Sequence, residues 1–477
     1  MMRRLMTALA ATLLGACSLA PRYQRPAPVQ VDRYREMGTW VPARPTQAAS
    51  GVAWWQAFGD PGLDAMERQL DAGNPDLRAA LARFQQASAI ARRARSNVYP
   101  TLSADGSATR TRVSAHAPLS ELIGGSASTY NDFLATLDFS WEIDLFGRLR
   151  STAAAAGAAA QASAADLAAV RLSLQARLAS DYFSLRGADV TDRLLEEAIR
   201  NYDRAYTLTR DRYLQGTAAA TDVEQADTQR QNARAQLADV RLQRVQLEDA
   251  IAVLLGVVPS SFSLPPGPLR GTPPRLDIGL PSTLLQRRPD VASAERSMAA
   301  ANAQIGVARA AWFPVFSLAG AAGFESVLAS NWLQAPSRLW AVGPSVQVPL
   351  LDAGARSALN RQARAAYDEA LADYRKTTLT AYQEVEDNLA GLHYFADQLR
   401  ADQAAAAAAQ SSAYHADQRY DTGVADYVEV TTTHTAALQA QRDAISARVA
   451  QLDAAVALVR ATGGGWTSDQ LQHPVLP

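Results

Sequence analysis

Arg287-Arg288-Pro289-Asp290 sets three charges around one proline and is the group in the chain that looks most equipped for acid–base work. Its spacing argues for a structural task instead. Asp290 beside Pro289 reads as the opening of a helix, with the charges solvated or paired. The five histidines, His116, His393, His415, His434 and His473, make no pair on one helical face that would suit a metal. No G-x-S-x-G, phosphate-binding loop or H-E-x-x-H motif is present. The expectation is a protein that is not an enzyme and uses no metal or cofactor.

Cys17 is the only cysteine, which excludes an intrachain disulfide. Its surroundings suggest another chemistry. Arg3-Arg4 is followed by an apolar core from Leu5 to Leu14, then by Leu14-Gly15-Ala16-Cys17. That core is too short for a permanent membrane helix and reads as a signal peptide over residues 1–16. Leu-Gly-Ala-Cys resembles the lipobox of bacterial lipoproteins, whose cysteine carries an N-acyl and an S-diacylglycerol lipid and becomes the first residue. Ser18 in place of Asp favours the outer membrane. No later segment has eighteen consecutive apolar residues, so no transmembrane helix is expected. A net charge of -1 gives no basic footprint for nucleic acid, and Lys376 is the only lysine.

The elements that position these residues come in two copies. Arg212-Tyr213-x-x-Gly216 returns 207 residues later as Arg419-Tyr420-x-x-Gly423. Asp222-Val223 matches Glu429-Val430, and Gly256 matches Gly463, at the same offset. Tyr99-Pro100 matches Phe313-Pro314 at an offset of 214, so the first copy holds seven extra residues after Pro100. Repeats of this kind decide the architecture. The chain divides into an extended, proline-rich arm over 17–59, a first copy over 60–270, a second over 271–460 and a tail over 461–477. Asp60-Pro61 opens the first helix, and Asn74-Pro75 can interrupt it.

In each copy two strands are expected before a long helix. Phe133, Ala135, Leu137, Phe139 and Trp141 alternate with polar residues over 132–142, and Val98–Arg110 alternates more weakly. Phe316 to Phe324 and Trp340 to Leu350 make the second pair. Helices without proline then run over 147–212 and about 353–420, each closed by the Arg-Tyr-x-x-Gly turn with glycine as the stop. The returning helices carry a 3-4 seam: Val223, Ala226, Arg230, Ala233, Leu237, Val240, Arg244, Leu247, Ile251 and Leu254 in the first, their counterparts at 207 in the second. The second copy adds another seam, Ile445, Val449, Leu452, Val456 and Val459, which suits a helix with neighbours on both sides. Four strands of about ten residues match outer-membrane strands, but four cannot close a barrel. A membrane reading therefore requires an oligomer; a soluble pair of hairpins would suit a monomer.

The chain resembles the outer-membrane factor family, the TolC-like exit channels, in its lipoprotein branch serving multidrug pumps of the RND type. The likeness spans nearly all of the mature chain. It rests on Gly279-Leu280-Pro281-Ser282-x-Leu284-Leu285-Gln286-Arg287-Arg288-Pro289-Asp290-Val291, on Trp54-Trp55 to Phe58, on Asp144-Leu145-Phe146-Gly147-Arg148 and on Leu350 to Arg356. It implies a mainly α fold with a small membrane β part, in which each of three protomers supplies four strands to a twelve-stranded barrel and long helices to an α-barrel. Residues 18–59, a segment near 257–281 and residues 461–477 would form a belt. The turns around Arg212, Tyr213, Gly216, Arg419, Tyr420 and Gly423 would meet a periplasmic adaptor, which connects to an inner-membrane pump. The resemblance maps a hydrophobic gate ring to Val424 and an acidic ring to Thr432, where this chain has no acid; Asp426 and Glu429 are near enough to substitute. The implied activity is passive export of small molecules across the outer membrane. A type I protein-secretion channel and a non-pore periplasmic scaffold are the alternatives.

Overall fold

The computed structural model describes residues 19–26, 34–35, 53–116, 126–274 and 287–471. Cys17, the signal peptide and Gly279–Gln286 lie outside them. Seven helices and four strands are named here: α1 Pro61–Gly73, α2 Pro75–Ser96, β1 Thr101–Val113, β2 Ser128–Ile143, α3 Arg148–Leu214, α4 Ala220–Leu254, α5 Pro289–Ala310, β3 Val315–Ser326, β4 Arg338–Gln347, α6 Ala355–Asp421 and α7 Tyr427–Ala461.

The repeat is visible in these bounds. α3 and α6 are each 67 residues, α4 and α7 each 35, and every one of their ends recurs 207 positions on. α2 and α5 are each 22 residues and recur at 214. The seven extra residues therefore fall within the first strand pair and its flanks. Differences from the expected bounds are small. β1 starts at Thr101, after the Val98–Pro100 turn, and runs on to Val113. β4 stops at Gln347 rather than Leu350, because the chain is turning toward Asp352, Ala353 (φ 48°) and Gly354 (φ 90°). α6 for the same reason starts at Ala355, not Ala353.

The chain forms two compact units, and each mixes both copies. Of the described residues, the first contains 19–26, 85–116, 126–162 and 294–374. Its centre is an antiparallel sheet in the order β1-β2-β3-β4, with β2 and β3 joining the copies from Phe133↔Ser326 to Ile143↔Phe316. Phe146 stacks on Phe313 at 4.6 Å where strands meet helices. Asp144 caps α3 by accepting from the Leu149 and Arg150 amides at 3.1 and 2.8 Å. Asp352 repeats the device by accepting from the Gly354 and Arg356 amides, both at 3.1 Å. The arm residues lie on α5: Asn302 donates to the Pro21 carbonyl at 2.9 Å, Arg309 to the Leu19 carbonyl at 3.2 Å, and the Tyr23 hydroxyl to Glu295.

Of the described residues, the second unit contains 34–35, 53–84, 163–274, 287–293 and 375–471. Asp60 caps α1, as its position before Pro61 predicts, by accepting from the Gly62 and Leu63 amides and from the Tyr182 hydroxyl. Trp55, Phe58, Leu63, Leu70 and Phe183 are buried there. The segment after α4 is fastened through its carbonyls. Arg244 reaches Leu264 at 2.5 Å, Arg186 reaches Pro265 at 2.7 Å, Arg193 reaches Gly267 at 2.9 Å and Arg448 reaches Gly271 at 2.5 Å. Asp189, fully buried, holds Arg186, Arg244 and the Gly267 amide together. Near the C-terminus Trp466 packs on Ala165 and Ala292.

Candidate functional site

Both Arg-Tyr-x-x-Gly turns close in one way. The Gly216 amide bonds to the Tyr213 carbonyl and the Thr217 amide to the Arg212 carbonyl; Gly423 with Tyr420, and Val424 with Arg419, repeat the pattern. Both glycines adopt φ +75°, the left-handed value that glycine accepts without penalty. The copies also touch. The Arg212 guanidinium lies over the Tyr420 ring at 4.3 Å, and the Tyr420 hydroxyl is 3.4 Å from that of Thr209. Tyr427 and Val430 are buried against Ala226, with Tyr206 and Tyr420 packed around them.

The two turns differ in the residues after the glycine. Asp426 caps α7 by accepting from the Glu429 amide at 3.0 Å, while Ala219 at the corresponding place has no side chain able to cap. Glu429 pairs with Arg419 at 2.8 Å. Val424 is 69% exposed, and Tyr213 is also exposed. Thr432 is exposed and turns its hydroxyl back to the Val428 carbonyl at 2.8 Å. One chain thus brings Arg212 to Tyr420 and Arg419 to Glu429, and leaves Tyr213, Val424 and Thr432 exposed. His434 sits between Asp417, whose oxygens are 2.8 and 3.0 Å away, and the Tyr202 ring. Neither the Arg212–Tyr420 stack nor the His434–Asp417 pair is foreseen from the sequence. The Arg-Tyr motif marks the turn but not which ring meets which guanidinium.

The register of the sheet separates two kinds of surface. On one face stand Leu102, Ala104, Gly106 and Ala108 of β1, then Phe133, Ala135, Leu137, Phe139 and Trp141 of β2. Phe316, Leu318, Gly320, Ala322 and Phe324 of β3 continue it, and Trp340, Val342, Pro344 and Val346 of β4 complete it. The opposite face carries Ser103, Asp105, Ser107, Asp132, Thr136, Asp138, Ser140, Ser317, Ser345 and Gln347. The apolar face is open: Trp340 is 77% exposed, and Leu102, Leu137, Val342 and Val346 are exposed with it. A water-soluble sheet would cover such a face, whereas a membrane strand turns it to lipid and the polar face to a water-filled lumen.

The family profile described as "Outer membrane efflux protein" matches residues 68–257 and 280–464. The chain belongs to the outer membrane efflux protein family. The probable efflux pump outer membrane protein TtgC of Pseudomonas putida is 33% identical over 462 residues, spanning 96% of this chain and 95% of that one. The pyoverdine export outer membrane protein OpmQ of Pseudomonas aeruginosa is 31% identical over 474 residues, 98% of each chain. Among solved structures, the outer-membrane channel OprN superposes with a TM-score of 0.87 at 30% identity, covering 94% of this chain and 100% of that one. The CmeC outer membrane channel of Campylobacter jejuni gives 0.87 at 25% identity, covering 95% of this chain and 96% of that one.

In this efflux protein the helical seams behave as their patterns predict. α4 buries Ala226, Ala233, Val240, Ile251 and Leu254 along one seam and exposes Leu242, Val245 and Val253. α7 buries both of its seams, with Val430, Ala437, Ala447, Ala454 and Leu458 on one and Leu452, Val456 and Val459 on the other. Glycines on the facing helices make room for seam side chains. A Cβ at Gly187 would stand 2.5 Å from Val449, and one at Gly391 would stand 3.4 Å from Ala454. Among the described residues no helix is long and apolar enough to cross a membrane, and no group of three or more His, Cys, Asp or Glu could hold a metal.

Proposed function

We propose that this outer membrane efflux protein is the passive exit duct of a tripartite system. The observation that carries the proposal is the two-faced sheet with open edges at β1 and β4. Backbone groups inside a bilayer must be paired, so those edges have to be closed by other copies. A homotrimer supplies twelve strands and sets the polar face around a water-filled lumen. The exposed side of α4 is then covered by a neighbouring protomer. A periplasmic adaptor meets the turns at Gly216 and Gly423 and links the duct to an inner-membrane pump. The duct performs no chemistry and needs no cofactor.

The lipid anchor is part of the same reading. Leu19, two residues beyond Cys17, is held by Arg309 in the last turn of α5, shortly before β3 begins. Two residues reach only about 7 Å, so a lipid on Cys17 starts close to the base of the sheet. Mass spectrometry of the mature N-terminus checks this: an unmodified Cys17 refutes the anchor.

The gate is placed at the second turn. Val424 projects into solvent and Glu429 pairs with Arg419 at the same turn, so both are available to face their copies around a three-fold axis. Conductance of the purified protein in a planar bilayer tests the duct and gate together. A small closed-state conductance that rises on Val424→Ala is the expected result. No conductance in any variant overturns the duct, and conductance indifferent to Val424→Ala overturns the gate assignment.

A further inference from the structure

The lipid-facing surface changes character at the hairpin end of the sheet. Beyond Ala108 on β1, the same face continues with Arg110 and Arg112, opposite Asn131 and Thr129 of β2. On β4 the residue beyond Trp340 on that face is Arg338, opposite Phe324. All three arginines are exposed, and no carboxylate pairs with them among the described residues. The acidic residues nearby, Asp132 and Glu325, have the opposite parity and stand on the polar face. Trp332, tilted against the Phe133 ring at 5.7 Å, adds an aromatic at this level.

The heights agree. Arg110 lies nine residues from the helix-side end of β1 at Thr101, and Arg338 nine residues from the helix-side end of β4 at Gln347. From Leu102 to Arg110 and Arg112 the strand runs roughly 27 and 34 Å, which at a tilt of about 40° is a height of about 21 and 26 Å and brackets an outer-membrane apolar band of about 25 Å. The guanidiniums therefore stand at the rim of the band on the side away from the helices.

β1 and β4 are also the edges of the sheet. Resting on the trimeric reading above, closure brings β4 of one protomer against β1 of the next. Arg338 then stands beside Arg110 and Arg112 of the neighbouring protomer at each subunit seam, above an unbroken apolar face. We propose that each seam binds the phosphorylated sugar headgroup of an outer-leaflet glycolipid, with its acyl chains along Trp340, Val342 and Val346. Guanidinium groups suit phosphate oxygens through forked, charge-assisted bonds. An acidic surface on this face would forbid the same ligand, and none is present among the described strand residues.

Native mass spectrometry of detergent-purified protein, with conductance recorded on the same samples, tests the site. The probes are lipid A, its dephosphorylated form, and phosphatidylglycerol. Wild type is expected to retain lipid A, and the Arg110→Gln/Arg112→Gln/Arg338→Gln variant to bind it at least about tenfold more weakly, given the strength of each arginine–anionic-lipid contact. Trimer mass and conductance stay unchanged in the variant. Retention independent of phosphate, measured on wild type alone, overturns the proposal, as does equal binding by the variant. Equal retention of phosphatidylglycerol overturns the glycolipid assignment. Loss of conductance and of the trimer in wild type strikes the duct reading instead.

Discussion

Arg288 donates through Nη1 to the Ala461 carbonyl at 3.1 Å, in the place where Asn74 donates to the Leu254 carbonyl at 2.7 Å. Asn74 and Arg288 are 214 residues apart and Leu254 and Ala461 are 207 apart, so one joint is built twice with different side chains. Each ties the start of a short helix to the end of a returning helix. Asn74 also caps α2 by accepting from the Leu77 amide, whereas Arg288 gathers Asp290 and Glu384. Arg288 is buried, and its loss leaves two carboxylates with less neutralisation. Arg288→Ala is expected to cost about 2–4 kcal/mol. Arg288→Asn keeps the carbonyl bond and costs less than Arg288→Ala. Denaturant unfolding measures both; equal losses would show that the carbonyl bond contributes nothing.

Two left-handed glycines separate backbone strain from collision. Gly423 has open space where a Cβ would sit, so Gly423→Ala carries only the conformational penalty of about 1–2 kcal/mol. At Gly463 a Cβ would stand 1.9 Å from the Arg287 carbonyl oxygen, so the backbone itself must move. Gly463→Ala is expected to prevent stable trimer formation, while Gly423→Ala leaves trimers intact. Heat-modified gel migration of the two variants distinguishes these outcomes.

Two buried carboxyls give a pH dependence of known sign. Burial raises Glu67 well above its ordinary value of 4.5, with Asp71 adding to the effect and Arg171 opposing it. Burial likewise pushes Asp453 from 3.8 up to about 6, with Asp181 adding and Ser180 opposing. A raised carboxyl keeps its proton in the folded state after the unfolded state has lost it. Stability is therefore intact at low pH and declines as pH rises from the unfolded value to the folded one. Asp453→Asn is expected to be more stable than wild type above pH about 6, by on the order of 2 kcal/mol, relative to their difference near pH about 4. Glu67→Gln should flatten the alkaline decline further. Melting temperatures between these limits that track wild type in both variants would contradict the assignment.

Much of this fold is legible in the sequence because its patterns are long. A 3-4 seam over 35 residues fixes α4 and α7, and glycine after Arg-Tyr fixes the turns. β1 is faint since its apolar-face residues Ala104, Gly106 and Ala108 are small, and only pairing with β2 declares them. The outer arginines are hidden for a related reason: a parity carries meaning only once register joins the strands. Glu67 and Asp453 escape notice because a charged residue inside an apolar stripe reads as solvated until a neighbouring helix covers it. Val424 and Thr432, mapped from the resemblance, are both exposed in the single chain, so its own packing gives them no role.

The face assignment of β4 makes the sharpest demand on the sheet. Val342 and Ala341 are adjacent, yet register places Val342 in line with Gly320 on the apolar face and Ala341 in line with Ala321 on the polar face, which the proposed duct turns to lipid and to lumen. An arginine on a lipid face near the bilayer middle costs about 2–4 kcal/mol, while the lumen side is wet. Val342→Arg is therefore expected to lower the yield of heat-stable trimers in outer-membrane fractions, and Ala341→Arg to keep that yield and reduce cation conductance. A lumen arginine lies among Asp105 and Asp138 from its own chain's polar face and opposes their field. Trimer yield that falls equally in both variants, or only in Ala341→Arg, would invert the faces and with them the position of the lumen.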